Sequence, residues 1–250
     1  MHNHIPSPPY SGFDNLTAMR AARGYNRELI KLARAHLGAP GTLLDGGAGL
    51  GDFARAFAGP GCTVYALEPD ALCRAHIATE GTGNPKDACF VVPHADIAEI
   101  PAASLDGLYS FNVLEHIEDD VGALRSWATR LRPGGRVFLY VPAFPFLFGP
   151  MDRRVGHHRR YTRESLSRLL RDAGLLVDAT GYFDAAGVLA TLAANLFGGT
   201  GEISEAAVKH YDTWVFPLSR LVQPTSGAFI GKNVWAAGRT PAPHRIPRLR

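Results

Sequence analysis

Two groups of residues in this 250-residue chain could do chemistry. The first is a series of glycines and acids in the front half: Asp45-Gly46-Gly47-Ala48-Gly49-Leu50-Gly51, Glu68-Pro69-Asp70, His94-Ala95-Asp96-Ile97 and Phe111-Asn112-Val113-Leu114-Glu115-His116. The second is a run rich in histidine and arginine, Asp152 through Thr162. Glycines let a backbone turn sharply and approach a ligand closely, and a helix directly after them would offer its first amides. The spacing departs from the dinucleotide pattern G-x-G-x-x-G. Counted from Gly47, Asp52 falls where the third glycine belongs and would set an anion against a pyrophosphate. A nucleoside without phosphates suits this turn better. A carboxylate at Glu68 can accept from both hydroxyls of a ribose. Asp96 can accept from an adenine amino group while Ile97 packs on the ring, and Asn112 would line the cleft floor. Taken singly, Glu68 reads more readily as a strand-end surface acid than as a ribose ligand, and Asp96 reads equally as a loop cap.

In the second group, histidine is the side chain best matched to moving a proton near neutral pH. His157, oriented by Asp152, is the expected general base or substrate-positioning residue. His116 is a further candidate, with packing beside a bound nucleoside as its plainer reading. Arg160 and Tyr161 could help clamp an anionic or polyhydroxylated substrate, although a solvated basic loop accounts for the same residues. Asp119 and Asp120 read as the acidic first turn of a helix, so no metal requirement is expected.

The elements that must position these residues follow from hydrophobic periodicity. A helix is expected over Asn15–Leu37, closed by Gly38 and Pro40, after a loose proline-rich arm. Five short strands follow, at Thr42–Asp45, Thr63–Leu67, Ala88–Val92, Leu108–Asn112 and Arg136–Val141. Helices lie at Gly51–Ala58, Ala71–Thr79 and Asp119–Leu131, and Pro133-Gly134-Gly135 turns into the fifth strand. Ala143–Tyr161 has no clear period and reads as a long loop, of the kind that is usually functional when it sits in a compact domain. Thr162 caps a helix to Ala173. Strands at Leu175–Asp184 and Asn233–Gly238 enclose a helical insert, Ala185–Leu221, and a basic tail follows from Pro241. Such alternation predicts a doubly wound, mostly parallel α/β sheet of seven strands, with an N-terminal helix and a helical insert before the last strand. Ligands bind such sheets at the carboxyl ends of the strands.

The four front-half elements, in this order and spacing, resemble the class I S-adenosylmethionine-dependent methyltransferases, and the Pro133-Gly134-Gly135 turn matches them too. The resemblance covers Leu43 to about Val141 well. It implies a Rossmann-like fold and S-adenosylmethionine as cofactor. Residue by residue, Asp45, Gly47, Gly49 and Gly51 would form the methionine-side loop, Glu68-Pro69 the ribose contact, Asp96 and Ile97 the adenine contact and Asn112 a cleft contact. Ala48 stands where the family often has Cys, and either small side chain fits. Ala22-Arg23-Gly24-Tyr25-Asn26 and Gly156–Thr162 are similar to a bacterial subgroup acting on small molecules or cell-surface components, with Tyr25 as a lid contact. The expected organisation is one domain over 1–250: an arm and cap helix at 1–40, a cofactor-binding core at 41–142, and a substrate loop, helical insert and last strands at 143–250. The expected activity is metal-independent, His-assisted methylation of a small molecule, oxygen favoured.

Bulk composition bounds these readings. The chain is 46% hydrophobic and 20% charged, an ordinary globular balance, with a net charge of only +3. That excess is too small to imply nucleic acid by itself. Cys62, Cys73 and Cys89 have no C-x-x-C spacing, which argues against a disulfide framework or zinc site and for a reducing cytoplasm. No run approaches the roughly 18 apolar residues of a membrane span, and the N-terminus lacks signal-peptide character. Two other classes compete: an RNA methyltransferase or nucleic-acid-binding protein using the basic loop and tail, and a cofactor-binding protein that transfers no methyl group. The oligomeric state is left open.

Overall fold

The computed structural model describes residues 13–38, 41–80, 83–84, 89–196 and 204–242. The expected N-terminal arm and most of the basic tail lie outside these. Helices α1 (Phe13–Met19) and α2 (Arg23–Leu37) lead into β1 (Thr42–Gly46), α3 (Asp52–Phe57), β2 (Thr63–Leu67), α4 (Ala71–Thr79), β3 (Gly83–Asn84), β4 (Cys89–His94) and β5 (Leu105–Phe111). Then come α5 (Asp120–Ala128), β6 (Leu131–Pro142), α6 (Pro150–Arg154), α7 (Arg163–Asp172), β7 (Leu176–Phe183), the insert helices α8 (Ala185–Leu196), α9 (Glu205–His210) and α10 (Phe216–Ser226), and β8 (Asn233–Arg239).

The strands form one sheet in the order β3-β4-β2-β1-β5-β6-β8-β7. The pairs β4-β2, β2-β1, β1-β5 and β5-β6 are parallel, whereas β8 runs antiparallel to both β6 and β7. Seven strands make up the Rossmann-like sheet, and β3 adds a two-residue antiparallel fringe on β4. The strand order reverses between β1 and β5, which places a crevice at their carboxyl ends.

Alternation along the strands splits the core into two layers. Leu44, Leu108, Val137, Leu139, Val141, Val234 and Ala236 face α5 and α7. Leu43, Tyr109, Phe111, Phe138, Tyr140 and Ala237 face α2, α3 and α4. Strands buried on both faces read as continuous apolar runs, as a sheet covered by helices requires. Among the described residues, no helix is long and apolar enough to cross a membrane.

Three strand ends carry an unusual backbone. Asn112 after β5, Phe144 after β6 and Asp184 after β7 all have positive φ, at 52°, 61° and 69°. Such angles are rare outside glycine and cluster where surrounding structure imposes them. All three lie on the same edge of the sheet, because β7 runs parallel to β6 through the intervening β8.

Three expectations about elements are corrected. The helix expected over Asp119–Leu131 ends at Ala128, and Pro133-Gly134-Gly135 lies within β6 at an irregularity in its pairing with β5 rather than before the strand. The single N-terminal helix is broken, with Arg20–Ala22 separating α1 from α2. Ala22 has no capping side chain. The free amides at the start of α2 are instead met from 187 and 188 residues away: the Asp212 carboxylate accepts from Gly24 N at 2.8 Å and Tyr25 N at 2.7 Å. Asp212 lies in a wide π turn, Tyr211–Val215, directly before α10, where Pro217 has no N–H to give the helix ladder. The long loop after the fifth strand is ordered, with α6 and a short 3₁₀ turn at Pro145–Leu147.

Asp212→Ala should therefore lower stability by about 1–2 kcal/mol, the scale of a lost helix cap. Amide exchange should quicken at Gly24 and Tyr25 while the β5 and β6 amides stay protected. Unchanged exchange at those two amides would show that Asp212 does not hold the junction.

Candidate active site

The glycine turn leaves the end of β1 with Gly47, Gly49 and Gly51 at φ of 81°, 54° and 77°. At Gly47 an added Cβ would lie 2.4 Å from a Val113 methyl, so both the angle and the close approach require glycine. The turn is held on β2: Gly47 N and Ala48 N donate to Leu67 O at 2.9 and 3.0 Å. Gly49 N donates to Glu68 Oε2 at 2.7 Å, and Asp70 N to Glu68 Oε1 at 2.9 Å. Burial raises the Glu68 carboxyl, and these two amides partly oppose that rise.

Asp45, 2% exposed, sits at the floor of the turn, and its Oδ2 has no hydrogen-bond partner. Burial pushes its pKa up to about 8, with the Tyr109 hydroxyl opposing and Glu68 adding to the rise. An uncompensated buried carboxyl is costly, and a cationic ligand group would relieve it. Asp96 caps the short turn Ile97–Glu99, accepting from Ala98 N at 2.8 Å, and its residue is exposed. Asn112 Oδ1 accepts from Asn233 Nδ2 at 2.9 Å.

A second constellation lies beyond β5. Asp152 is buried and accepts from His157 Nδ1 at 2.7 Å, Arg160 Nε at 2.9 Å and Gly149 N at 2.8 Å. Burial alone would raise this carboxyl, but the three donors together hold it at about 2. The His157 ring meets His116 edge to face, with centroids 4.5 Å apart. Burial, and then the nearby His157, lower His116 to about 4, so its imidazole is neutral at pH 7. Glu115 is fully buried, and neither carboxylate oxygen has a hydrogen-bond partner. Its pKa rises to about 8 through burial, which its own backbone N–H only partly offsets.

A family model described as a methyltransferase domain matches residues 19–180. The chain belongs to this methyltransferase family. It is 32% identical over 216 residues to a protein of Mycolicibacterium smegmatis described as a probable S-adenosylmethionine-dependent methyltransferase, spanning 83% of this chain and 80% of the relative. Over 100 residues, 38% of this chain and 41% of the relative, it is 35% identical to a ubiquinone biosynthesis O-methyltransferase of Vibrio parahaemolyticus. Among solved structures, a complex of the Haloferax volcanii Trm112 activator with a methyltransferase superposes with a TM-score of 0.61 at 18% identity, covering 94% of this chain and 99% of that one. The Burkholderia thailandensis 1,6-didemethyltoxoflavin N1-methyltransferase, solved with S-adenosylhomocysteine, superposes at 0.53 and 21% identity over 92% of this chain and 82% of that one. At these identities the likeness is one of fold.

The methyltransferase uses S-adenosylmethionine, and the glycine turn fits it. Gly47 has no room for a Cβ, and Asp45 Oδ2 is an orphan acceptor suited to an ammonium group. The structure brings Asp45, the glycines, Glu68 and Asn112 to the β1, β2 and β5 ends, with Pro69 exposed beside them. Tyr25 is buried among Phe183 and Phe216, and its hydroxyl contacts the Tyr140 hydroxyl and Asn233 Oδ1. Arg160 and Tyr161 point inward. Arg160 holds Asp152 and Ala143 O, and Tyr161 donates to Asp120 Oδ2 at 2.8 Å. Arg159 is tied to Asp120 and Glu118 O, so this basic segment is latched to the β5–α5 junction. Asp119 caps α5 as expected. Sequence reasoning missed Glu115 and Asn233. Glu115 sits one residue before His116, but its burial depends on the packing of the segment that carries His157.

Asp152→Asn should cost roughly 3 kcal/mol at pH 7, since it leaves Arg160 buried without a charged partner. In a protein of this size that is a fall in Tm of roughly 6–12 °C. The pH dependence has a definite sign. A carboxyl held at about 2 against an ordinary value of about 3.9 stabilises above that ordinary value, and the stabilisation is lost as pH falls toward 2. The variant should lack this acid-side loss. Identical acid limbs in urea melts from pH 5 to pH 2 would contradict the charge state assigned to Asp152.

Proposed function

We propose that the methyltransferase acts on a hydroxyl oxygen of a small-molecule acceptor, within a single catalytic domain. The observation carrying this reading is that the glycine turn and the buried histidine centre occupy neighbouring strand ends of one sheet edge. When bound, S-adenosylmethionine supplies a methyl group activated by its sulfonium. Asp45 and the turn amides would hold the methionine side, Glu68 the ribose, and Asp96 with Ile97 the adenine. Exchanging the Gly49 N–H and Asp70 N–H bonds for ribose hydroxyls would keep Glu68 satisfied throughout.

A hydroxyl is a weak nucleophile and needs its proton accepted in the transfer step. Asp152 takes the Nδ1–H of His157, so Nε2 carries the lone pair that can receive the proton in a metal-independent reaction. His116 beside it is neutral and adds no repelling charge. Arg160 and Tyr161 are positioning residues that fix Asp152 and the segment around it. The partial match to an O-methyltransferase of ubiquinone biosynthesis supports oxygen as the acceptor atom.

One observation supports a nucleic-acid acceptor as a second reading. Arg20, Arg23, Arg27, Lys31 and Arg34 line a groove of about 690 Å³ beside α3. Arg20 is already paired with Asp52 and Glu80 there, which weakens that reading.

Calorimetry with S-adenosylhomocysteine should show one site. Gly47→Ala should weaken it roughly thirtyfold through strain of about 2 kcal/mol, and Glu68→Gln about tenfold or more. With labelled S-adenosylmethionine and a panel of hydroxylated acceptors, His157→Ala should lower kcat by about 10²–10⁴ while leaving that affinity intact. Full turnover by His157→Ala would refute its role, and absence of cofactor binding by the wild type would refute the whole reading.

A further inference from the structure

We propose that Glu115, His116 and His157 form a binding site for one divalent transition-metal ion of the zinc class, on the acceptor side of the cleft. One ligand atom from each residue lies within 4.8 Å of the other two. His157 Nε2 and Glu115 Oε1 stand 3.8 Å apart. Ligands in a tetrahedral zinc shell, with bonds of about 2.0–2.2 Å, stand roughly 3.3 Å apart. Closing that edge needs a contraction of about half an ångström, within reach of side-chain rotation.

Glu115 supplies an independent observation. It is fully buried, and both carboxylate oxygens lack a hydrogen-bond partner. A buried carboxyl group without a hydrogen bond is uncommon in folded proteins and calls for an explanation, and a metal ion is one group that would satisfy it.

The outer shell points the same way. Metal-bound histidines nearly always have their second nitrogen held by a carboxylate or a backbone carbonyl. Here His157 Nδ1 is held by Asp152 at 2.7 Å, and the His116 ring is bonded to the Val155 backbone. Asp152 is fixed in turn by Arg160 Nε and Gly149 N. His157 thus has Nδ1 engaged and Nε2 facing Glu115, and one ring nitrogen of His116 lies within the same 4.8 Å cluster. Two imidazoles and one carboxylate suit zinc, cobalt or nickel, whereas magnesium and calcium prefer an all-oxygen shell. Three protein ligands leave a fourth position open. A bound ion would occupy the His157 Nε2 lone pair that the metal-free transfer uses, so metal binding and methyl transfer compete at this nitrogen.

Asp119 and Asp120 are not part of the site: they serve the start of α5 and Tyr161. It rests on the methyl-transfer reading only for where the acceptor lies. The binding claim stands without it.

The test uses the full-length, untagged protein stripped with a chelator. Zn²⁺ calorimetry should show one ion per chain, and Co²⁺ should give a saturable visible absorption band of low coordination number. Zn²⁺ should raise Tm, and millimolar Mg²⁺ should not displace it. Glu115→Gln and His116→Gln should each weaken Zn²⁺ at least about a hundredfold, with S-adenosylhomocysteine affinity unchanged. A wild-type protein that takes up no Co²⁺ or Zn²⁺ overturns the proposal even if a variant fails to fold. So does binding that survives both substitutions or is displaced by equimolar Mg²⁺. Zn²⁺ binding without S-adenosylhomocysteine binding would remove the methyl-transfer reading and leave this one standing.

Discussion

Asp152 receives hydrogen bonds from His157 Nδ1, Arg160 Nε and the Gly149 amide while buried almost completely. Desolvation pushes such a carboxyl toward the neutral form, and only the combined donors keep it ionised. That charge fixes the course of the chain between β6 and α7. Arg160 reaches back to Ala143 O, and the His158 amide donates to Glu115 O at 2.7 Å. The segment carrying His157 is thereby pinned across the end of β5, and the histidine centre exists because of it.

The glycine turn is built on a different constraint. The chain must turn from β1 into α3 under the side chain of Val113, and the Cβ-free Gly47 makes that approach possible. Glu68 then reads the turn from the neighbouring strand through Gly49 N. Both halves meet because parallel strands deliver their carboxyl ends to one edge. The antiparallel β8 adds the start of a strand there, and Asn233 links Asn112 to the Tyr25 hydroxyl.

Strain is concentrated on the same edge. Asn112, Phe144 and Asp184 hold positive φ angles within two residues of the ends of three strands. At Asp184 the cause is visible. Its carboxylate collects the Tyr211 hydroxyl, the Ser219 hydroxyl and the Gly187 amide, which draws the insert helices onto the sheet. The insert leaves Leu189, Trp214, Leu218 and Leu221 largely exposed.

The sequence by itself determined the sheet and the glycine turn after its first strand. Alternating apolar runs, positive-φ glycines and strand-end acids are local signals, and β2 and α4 begin and end where periodicity places them. The break at Arg20–Ala22 was not legible, because the cap of α2 comes from Asp212, far along the chain. The fates of Arg160 and Tyr161 were hidden for the same reason. Arginine in a loop suggests a ligand clamp until the fold supplies a buried partner. Only the tertiary structure decided that Glu115 lies stripped of hydrogen bonds beside two histidines. Desolvation and the meeting of distant segments are properties of packing, and no spacing in the sequence encodes them.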